Sequence, residues 1–178
     1  MPRLLGARVK RLEDPRLLAG RGRFLDDVTL PGMAHAVFVR SAFAHAVLRD
    51  VDVQAARRAP GAVAVLTGTD LEGQVEALAP RLEAPGFTPT VWPVLPVSRV
   101  RFAGEGIAIV AADTPYQAAD AAELVLVDAQ PLPSIADVPS ALAPGAVRLH
   151  PDNRDNVLFQ QQHGCGDLAG RSGPPPSS

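Results

Sequence analysis

The four histidines of the chain are the first residues whose chemistry could define a site. They are His35, His45, His150 and His163, and none lies in an HExxH pattern or at close ligand spacing with a carboxylate. A metal centre needs several such ligands brought together, so the spacing argues against one. His35 and His45 could meet across a hairpin, where a structural pair is the favoured interpretation.

Candidate nucleophiles and acid–base groups are equally incomplete. Ser41 has no GxSxG elbow around it, and Cys165 lies in a polar tail, where an incidental free thiol is favoured. The adjacent carboxylates Glu13-Asp14 and Asp26-Asp27 lie in predicted loops, and without a positioned partner they form no acid–base pair. The residues alone therefore assemble no catalytic site.

Glycines and aromatic residues give weaker signals. The segments GRGR at 20–23 and GEG at 104–106 neither follow a clear strand nor open a clear helix, so a tight turn is favoured over a phosphate-binding loop. Trp92 and Tyr116 are interpreted as packing anchors rather than stacking platforms.

Composition limits the class of protein that positions these residues. The 178 residues are 47% hydrophobic, mostly small and aliphatic, which suits about one domain. One cysteine cannot supply an internal disulfide or a four-cysteine iron–sulfur site. The longest apolar run, at 107–112, is far shorter than the ~18 residues of a membrane span. With a net charge of −2, we expect a cytoplasmic protein with no nucleic-acid partner and no membrane span.

Charge and composition divide the chain into three predicted segments. Residues 1–32 form an extended basic arm, which either docks on an acidic partner or is only solvated. Residues 33–150 form the folded domain. Residues 151–178 form an exit segment and a disordered tail rich in glycine, proline and serine.

Apolar patterning predicts an α/β (α+β) fold with short elements for the middle segment. Strands are predicted at 33–40, 46–53, 63–66, 100–102, 107–112 and 125–129, and short helices at 54–59, 67–71, 114–124 and 138–142. The strand at 33–40 is apolar on both faces and is predicted to be central and buried, whereas 46–53 alternates and has one polar face. Thr114, Pro115 and Gln117 predict an N-cap, first turn and capping box. Residues 72–98 form a long loop.

Short motifs occur in a recognisable order along most of the chain. They are RVKRLEDPR at 8–16, GRGRFLDD at 20–27, LPG at 30–32, FVRS at 38–41, AHA at 44–46, VRF at 100–102 with GE at 104–105, and PLP at 131–133. Together they resemble the N-terminal part of the large, molybdopterin-binding subunit of the xanthine dehydrogenase, aldehyde oxidase and aerobic carbon monoxide dehydrogenase family. Gly106 departs from the proline that this family usually has after the Gly-Glu pair.

The resemblance implies an α/β hammerhead domain, a mixed sheet with short helices that acts as scaffold and interface in an oxidoreductase. The family uses molybdopterin together with iron–sulfur clusters and FAD on partner subunits or domains. Its cofactor-binding and catalytic residues lie in later domains, so the resemblance implies that this chain supplies no catalytic, cofactor-binding or metal residue. The implied partners are the rest of the large subunit and the iron–sulfur and flavin subunits.

Two interpretations remain open for the chain as a whole. Because the resemblance fades at Asp167, one hypothesis is a truncated or split gene product that is inactive alone, which DNA sequencing beyond codon 165 can check. The alternative is a stand-alone assembly module that docks on iron–sulfur or flavin subunits.

Overall fold

The computed structural model describes residues 6–163 of the chain. The strands are β1 (His35–Arg40), β2 (Ala46–Asp52), β3 (Ala62–Thr67), β4 (Arg99–Val100), β5 (Gly106–Ala112) and β6 (Leu126–Pro131). The helices are α1 (Asp14–Leu18), α2 (Gln54–Arg57), α3 (Gly68–Leu71), α4 (Pro115–Glu123) and α5 (Val138–Leu142), and a 3-10 turn spans Leu25–Asp27.

The strands form two three-stranded sheets. The first has the order β1-β5-β3 and the second the order β4-β2-β6. Every strand pair within residues 6–163 is antiparallel. Helix α4 packs on the first sheet against β1 and β5. A sheet covered by short helices is what the α/β (α+β) prediction requires.

The core is built from small aliphatic side chains, as the composition predicted. One buried cluster lies between the first sheet and α2 and α4, and it contains Val53, Ala56, Val65, Ala108, Val110, Ala121 and Val125. A second cluster belongs mainly to the other sheet and contains Ala46, Leu48, Val100 and Ile107. Strand β5 supplies side chains to both clusters, because successive residues of a strand point to opposite faces.

The prediction that the first strand is central and buried is wrong. Strand β1 lies at the edge of the first sheet with β5 as its neighbour, and alternate residues such as Phe38 are exposed. The Arg40 guanidinium lies over the Phe38 ring, 5.3 Å from its centroid. The apolar face of β1 is therefore partly covered by a charged side chain instead of another sheet layer.

The predicted alternation of β2 is broken by a shift in strand register. The register changes between Leu48 and Asp50, so the inward-facing set passes from Ala46 and Leu48 to Val51 and Val53. An extra residue in one strand of an antiparallel pair produces this reversal of faces. The simple assignment of odd and even positions to two faces therefore fails halfway along the strand.

Helix α4 begins where the sequence predicted. The Thr114 hydroxyl oxygen accepts the Gln117 backbone N–H at 3.2 Å, and Pro115 occupies the first turn. The reciprocal bond of the predicted capping box is replaced, because the Gln117 side-chain oxygen accepts from the Thr114 hydroxyl at 2.9 Å. Residues 72–98 form the predicted long loop, with one isolated β-bridge between Leu78 and Trp92.

The position of β5 gives a stability prediction. Val110 is fully buried, so Val110→Ala removes apolar contacts and leaves a cavity, which we expect to lower the free energy of unfolding by roughly 2 kcal/mol. Val63 is mostly exposed on β3, and Val63→Ala, the matched control, is expected to cost less than about 0.5 kcal/mol. Urea unfolding followed by circular dichroism measures both, and equal losses would contradict the two-cluster core.

Candidate functional site

The histidines do not come together. His35 lies opposite Ala112 in the first sheet, whereas buried His45 precedes β2 and its Nδ1 donates to the Pro133 carbonyl at 2.8 Å. The predicted His35–His45 pair is therefore wrong, because β1 and β2 belong to different sheets. Within residues 6–163, no group of three His, Cys, Asp or Glu side chains could hold a metal ion. Cys165 lies outside the described residues.

Ser41 and Glu105 have structural contacts. The Ser41 hydroxyl donates to the Phe43 carbonyl at 2.8 Å, and the Ser41 backbone N–H donates to the Glu105 carbonyl at 2.8 Å. Gly104 returns a bond to the Ser41 carbonyl at 2.9 Å and has a positive φ of 86°. The GEG segment is therefore the tight bend that the sequence predicted, joined to the end of β1.

The paired carboxylates of the arm lie in solvent. Glu13 pairs with Arg16 and Asp14 with Arg11, each at 3.3 Å on an exposed surface, and Asp27 accepts the Phe24 backbone N–H at 2.9 Å. Exposed ion pairs contribute little to stability and provide no acid–base chemistry by themselves.

Trp92 forms an aromatic cluster at the end of the long loop. Its ring centroid lies 6.1 Å from that of Phe102 and 5.7 Å from that of His150, and its Nε1 donates to the Thr90 hydroxyl at 2.9 Å. The predicted packing role of Trp92 is confirmed. The same prediction for Tyr116 is wrong, because that side chain is mostly exposed at the start of α4.

Contacts between the long loop and residues 149–159 were not predicted from the sequence. The Thr88 backbone N–H donates to the Leu158 carbonyl at 2.8 Å, and the rings of Phe87 and Phe159 lie 6.2 Å apart, edge to face. The Arg101 guanidinium donates to the Leu149 carbonyl at 3.2 Å. Phe87 and Phe159 were the available signal, because aromatic side chains in loops usually find a packing partner.

His150 occupies a site that disfavours its charged form. Burial lowers the pKa of His150 below its ordinary value of 6.5, the nearby Arg101 charge lowers it further, and Asp152 acts in the opposite direction. The neutral form of the imidazole is therefore favoured where the ring lies against Trp92.

The most distinctive surface is the exposed apolar side of the arm. Helix α1 buries none of its residues. Leu12, Leu18 and Leu25 are 97%, 88% and 86% exposed, and Phe24 and Leu30 are also mostly exposed. Single exposed leucines are common, but several along one segment are typical of a surface that another molecule covers. We define the arm surface as these five residues.

The sequence of the domain matches a known protein family. Residues 19–133 match the family model described as aldehyde oxidase and xanthine dehydrogenase, a/b hammerhead domain. The chain belongs to this family, which confirms the resemblance seen in the motifs and the α/β hammerhead fold.

Relatives share this domain within much longer chains. The chain is 40% identical over 153 residues to the carbon monoxide dehydrogenase large chain of Afipia carboxidovorans, covering 86% of this chain and 18% of that one. It is 32% identical over 153 residues to the xanthine dehydrogenase molybdenum-binding subunit of Escherichia coli O157:H7, covering 85% and 20%. The crystal structure of quinoline 2-oxidoreductase from Pseudomonas putida 86 matches with a TM-score of 0.78 and 37% identity, covering 85% and 19%. The chain therefore spans about a fifth of the length of these relatives.

The cavity beside the arm does not fit a molybdopterin group. A cavity of about 450 Å³ between the arm and β1 is lined mainly by apolar residues, with Asp26 as its charged member. A carboxylate repels the anionic phosphate of a pterin cofactor instead of binding it.

The His150 environment predicts a pH response. Because the unfolded chain binds this proton more readily than the folded one, the stability contribution of neutral His150 is complete above pH 6.5 and is lost as the pH falls below that value. We expect NMR titration of the His150 ring to give a midpoint below 6.5, with emission from Trp92, the single tryptophan, changing in parallel.

Two substitutions test whether Arg101 and Asp152 shift the pKa of His150 in opposite directions. Arg101→Gln removes a like charge and is expected to raise the His150 midpoint, whereas Asp152→Asn removes an attractive charge and is expected to lower it. Shifts in the same direction would contradict this account.

Proposed function

We propose that the described residues form the N-terminal scaffold and interface domain of a molybdenum hydroxylase large subunit. Family membership supports this proposal, as does the presence of the same domain in relatives named for carbon monoxide, xanthine and quinoline. A domain shared by relatives named for such different molecules is better suited to assembly than to substrate choice. The reaction of the whole assembly would be an oxidoreductase hydroxylation, carried out in the cytoplasm.

The exposed arm surface is the observation that carries the proposal. Covering a leucine side chain that is almost fully exposed in this chain contributes about 1.5–3 kcal/mol, so Leu12, Leu18 and Leu25 together offer substantial binding energy. Within the described residues, the side chains of these three leucines stay almost fully in contact with water. The arm is therefore suited to docking.

Charge on the arm indicates the character of its partner. Residues 6–23 carry Arg8, Lys10, Arg11, Arg16, Arg21 and Arg23 against Glu13 and Asp14. Complementary potentials steer association and select partners, so the partner surface should be apolar and rimmed by carboxylates. We propose that this surface belongs to the rest of the large subunit or to the iron–sulfur and flavin subunits.

The proposal predicts that binding depends on the arm leucines. We expect the triple variant Leu12→Ser, Leu18→Ser, Leu25→Ser to bind iron–sulfur and flavin subunits of a molybdenum hydroxylase from the same organism at least tenfold more weakly in a pull-down titration. Its fold should persist, because those side chains are exposed. The matched control is Val138→Ser with Leu142→Ser on α5, where both residues are also mostly exposed.

Each outcome of this titration has a meaning. Loss of binding in the triple variant alone supports docking through the arm. Equal binding of the triple variant and the α5 control would reject it. Because the titration uses the chain without the remaining large-subunit domains, binding is compatible with a split large subunit and with a stand-alone assembly module. Coding sequence for those domains in a neighbouring reading frame would favour the split large subunit.

Metal content provides an independent check. Because the family resemblance implies that the cofactor-binding residues lie in later domains, we expect elemental analysis of the purified chain to find no stoichiometric molybdenum. A ratio near one molybdenum atom per chain would contradict the scaffold assignment.

A further inference from the structure

The outer edge of β3 is apolar and could pair with a strand of another molecule. Strand β3 lies at the edge of the first sheet and reads AVAVLT, with no charged residue or proline. Val63 on this strand is 59% exposed. An apolar edge strand presents unpaired backbone groups that a strand from another molecule can pair with.

Two side chains bind two of the outward-facing backbone groups of this edge. The Arg57 Nη2 donates to the Val65 carbonyl at 3.2 Å, and Asp70 accepts the Thr67 backbone N–H at 2.8 Å. In an antiparallel pair, alternate residues direct their backbone groups to the same side, so residues 65 and 67 mark one edge. These two bonds therefore engage two of the backbone groups that an added strand would need.

Arg57 and Asp70 are also tied to each other. The Arg57 Nη2 lies 2.8 and 2.9 Å from the two carboxylate oxygens of Asp70. The Thr67 hydroxyl donates to Asp70 at 2.8 Å, which holds the carboxylate in place. Arg57 is the last residue of α2 and Asp70 belongs to α3, so the ion pair links the two helices across the end of β3.

The other end of β3 is protected by its register. The pairing with β5 shifts between Ala62 and Ala64, which interrupts the regular ladder beside the exposed Val63. Such irregularities hinder pairing of an edge with another strand. Only a short stretch of regular edge therefore remains between the irregularity and the ion pair.

We propose that the Arg57–Asp70 pair is an edge guard that prevents β3 from pairing with a strand of a second copy of this chain. The guard acts independently of the arm surface and of any role in a larger assembly. The guard contributes to solubility, because it withholds backbone groups from intermolecular strand pairing. It does not form part of a binding site.

Acidity acts on the same pair. The backbone N–H of Thr67 lowers the pKa of the Asp70 carboxyl, burial opposes this, and the Thr67 hydroxyl and the Arg57 guanidinium lower it further. Folding therefore favours the charged carboxylate, and this contribution is present above pH 3.8 and lost as the pH falls through the lowered pKa. Strongly acidic solution should weaken the guard in the same way as a substitution.

The test separates edge pairing from general destabilisation. We expect Arg57→Ala to increase self-association at least tenfold over wild type in sedimentation measured across a range of concentrations. Arg58→Ala, a matched control at the exposed neighbouring residue, is expected to behave as wild type. Urea unfolding of each variant records its stability.

A second substitution makes the test decisive. Val63→Lys places a charge on the exposed edge, so adding it to Arg57→Ala should restore wild-type sedimentation without restoring the free energy of unfolding. Asp70→Ala, which removes the acceptor of the Thr67 backbone N–H, is scored in the same way if Arg57→Ala fails to fold. Unchanged association in both guard variants, or association that Val63→Lys does not suppress, would overturn the proposal.

Discussion

Burial of β5 on both faces is the constraint on which the rest of the domain depends. Ile107 faces one apolar cluster while Ala108 and Val110 belong to the other, so this strand connects the two halves of the core. A strand covered on both sides must be apolar along its length, and its coverings must fit closely. The buried alanines of α4, Ala118 and Ala121, meet this requirement because they leave room for the helix to approach the sheet.

A core of small residues has a consequence for the surface. The buried set is made largely of alanine and valine, with few large side chains among it. The leucines of the arm do not take part, since the space between the first sheet and its covering helices is already filled by small side chains. Apolar area therefore remains outside the core, and the exposed leucines of the arm are part of it.

Polar side chains form hydrogen bonds to backbone groups at the periphery of the domain. Arg57 and Asp70 take up backbone groups at one sheet edge, and Arg101 binds the chain at Leu149, where it lies beside neutral His150. Each contact joins residues that are distant along the chain or belong to different elements. They hold the edge of β3 and the chain at Leu149 in defined positions while leaving the arm surface exposed.

The sequence by itself determined the local elements and the family. The helix start at Thr114, the strand around Val110 and the loop at 72–98 follow from hydrogen-bonding capacity, apolar runs and proline content, all of which act between near neighbours. The ordered motifs identified the hammerhead domain. Neither the local patterns nor the motifs could show which apolar side chains stay exposed, because exposure is a property of the folded chain.

Tertiary structure alone decided which faces are covered and which residues meet. Strand β1 is as apolar as a central strand, yet it lies at the edge of the first sheet, beside β5. The register shift in β2 moved the inward face, and the placement of β1 and β2 in different sheets kept His35 from His45. These outcomes depend on contacts between distant residues, and the free energy of such contacts is not encoded in the pattern of any one segment.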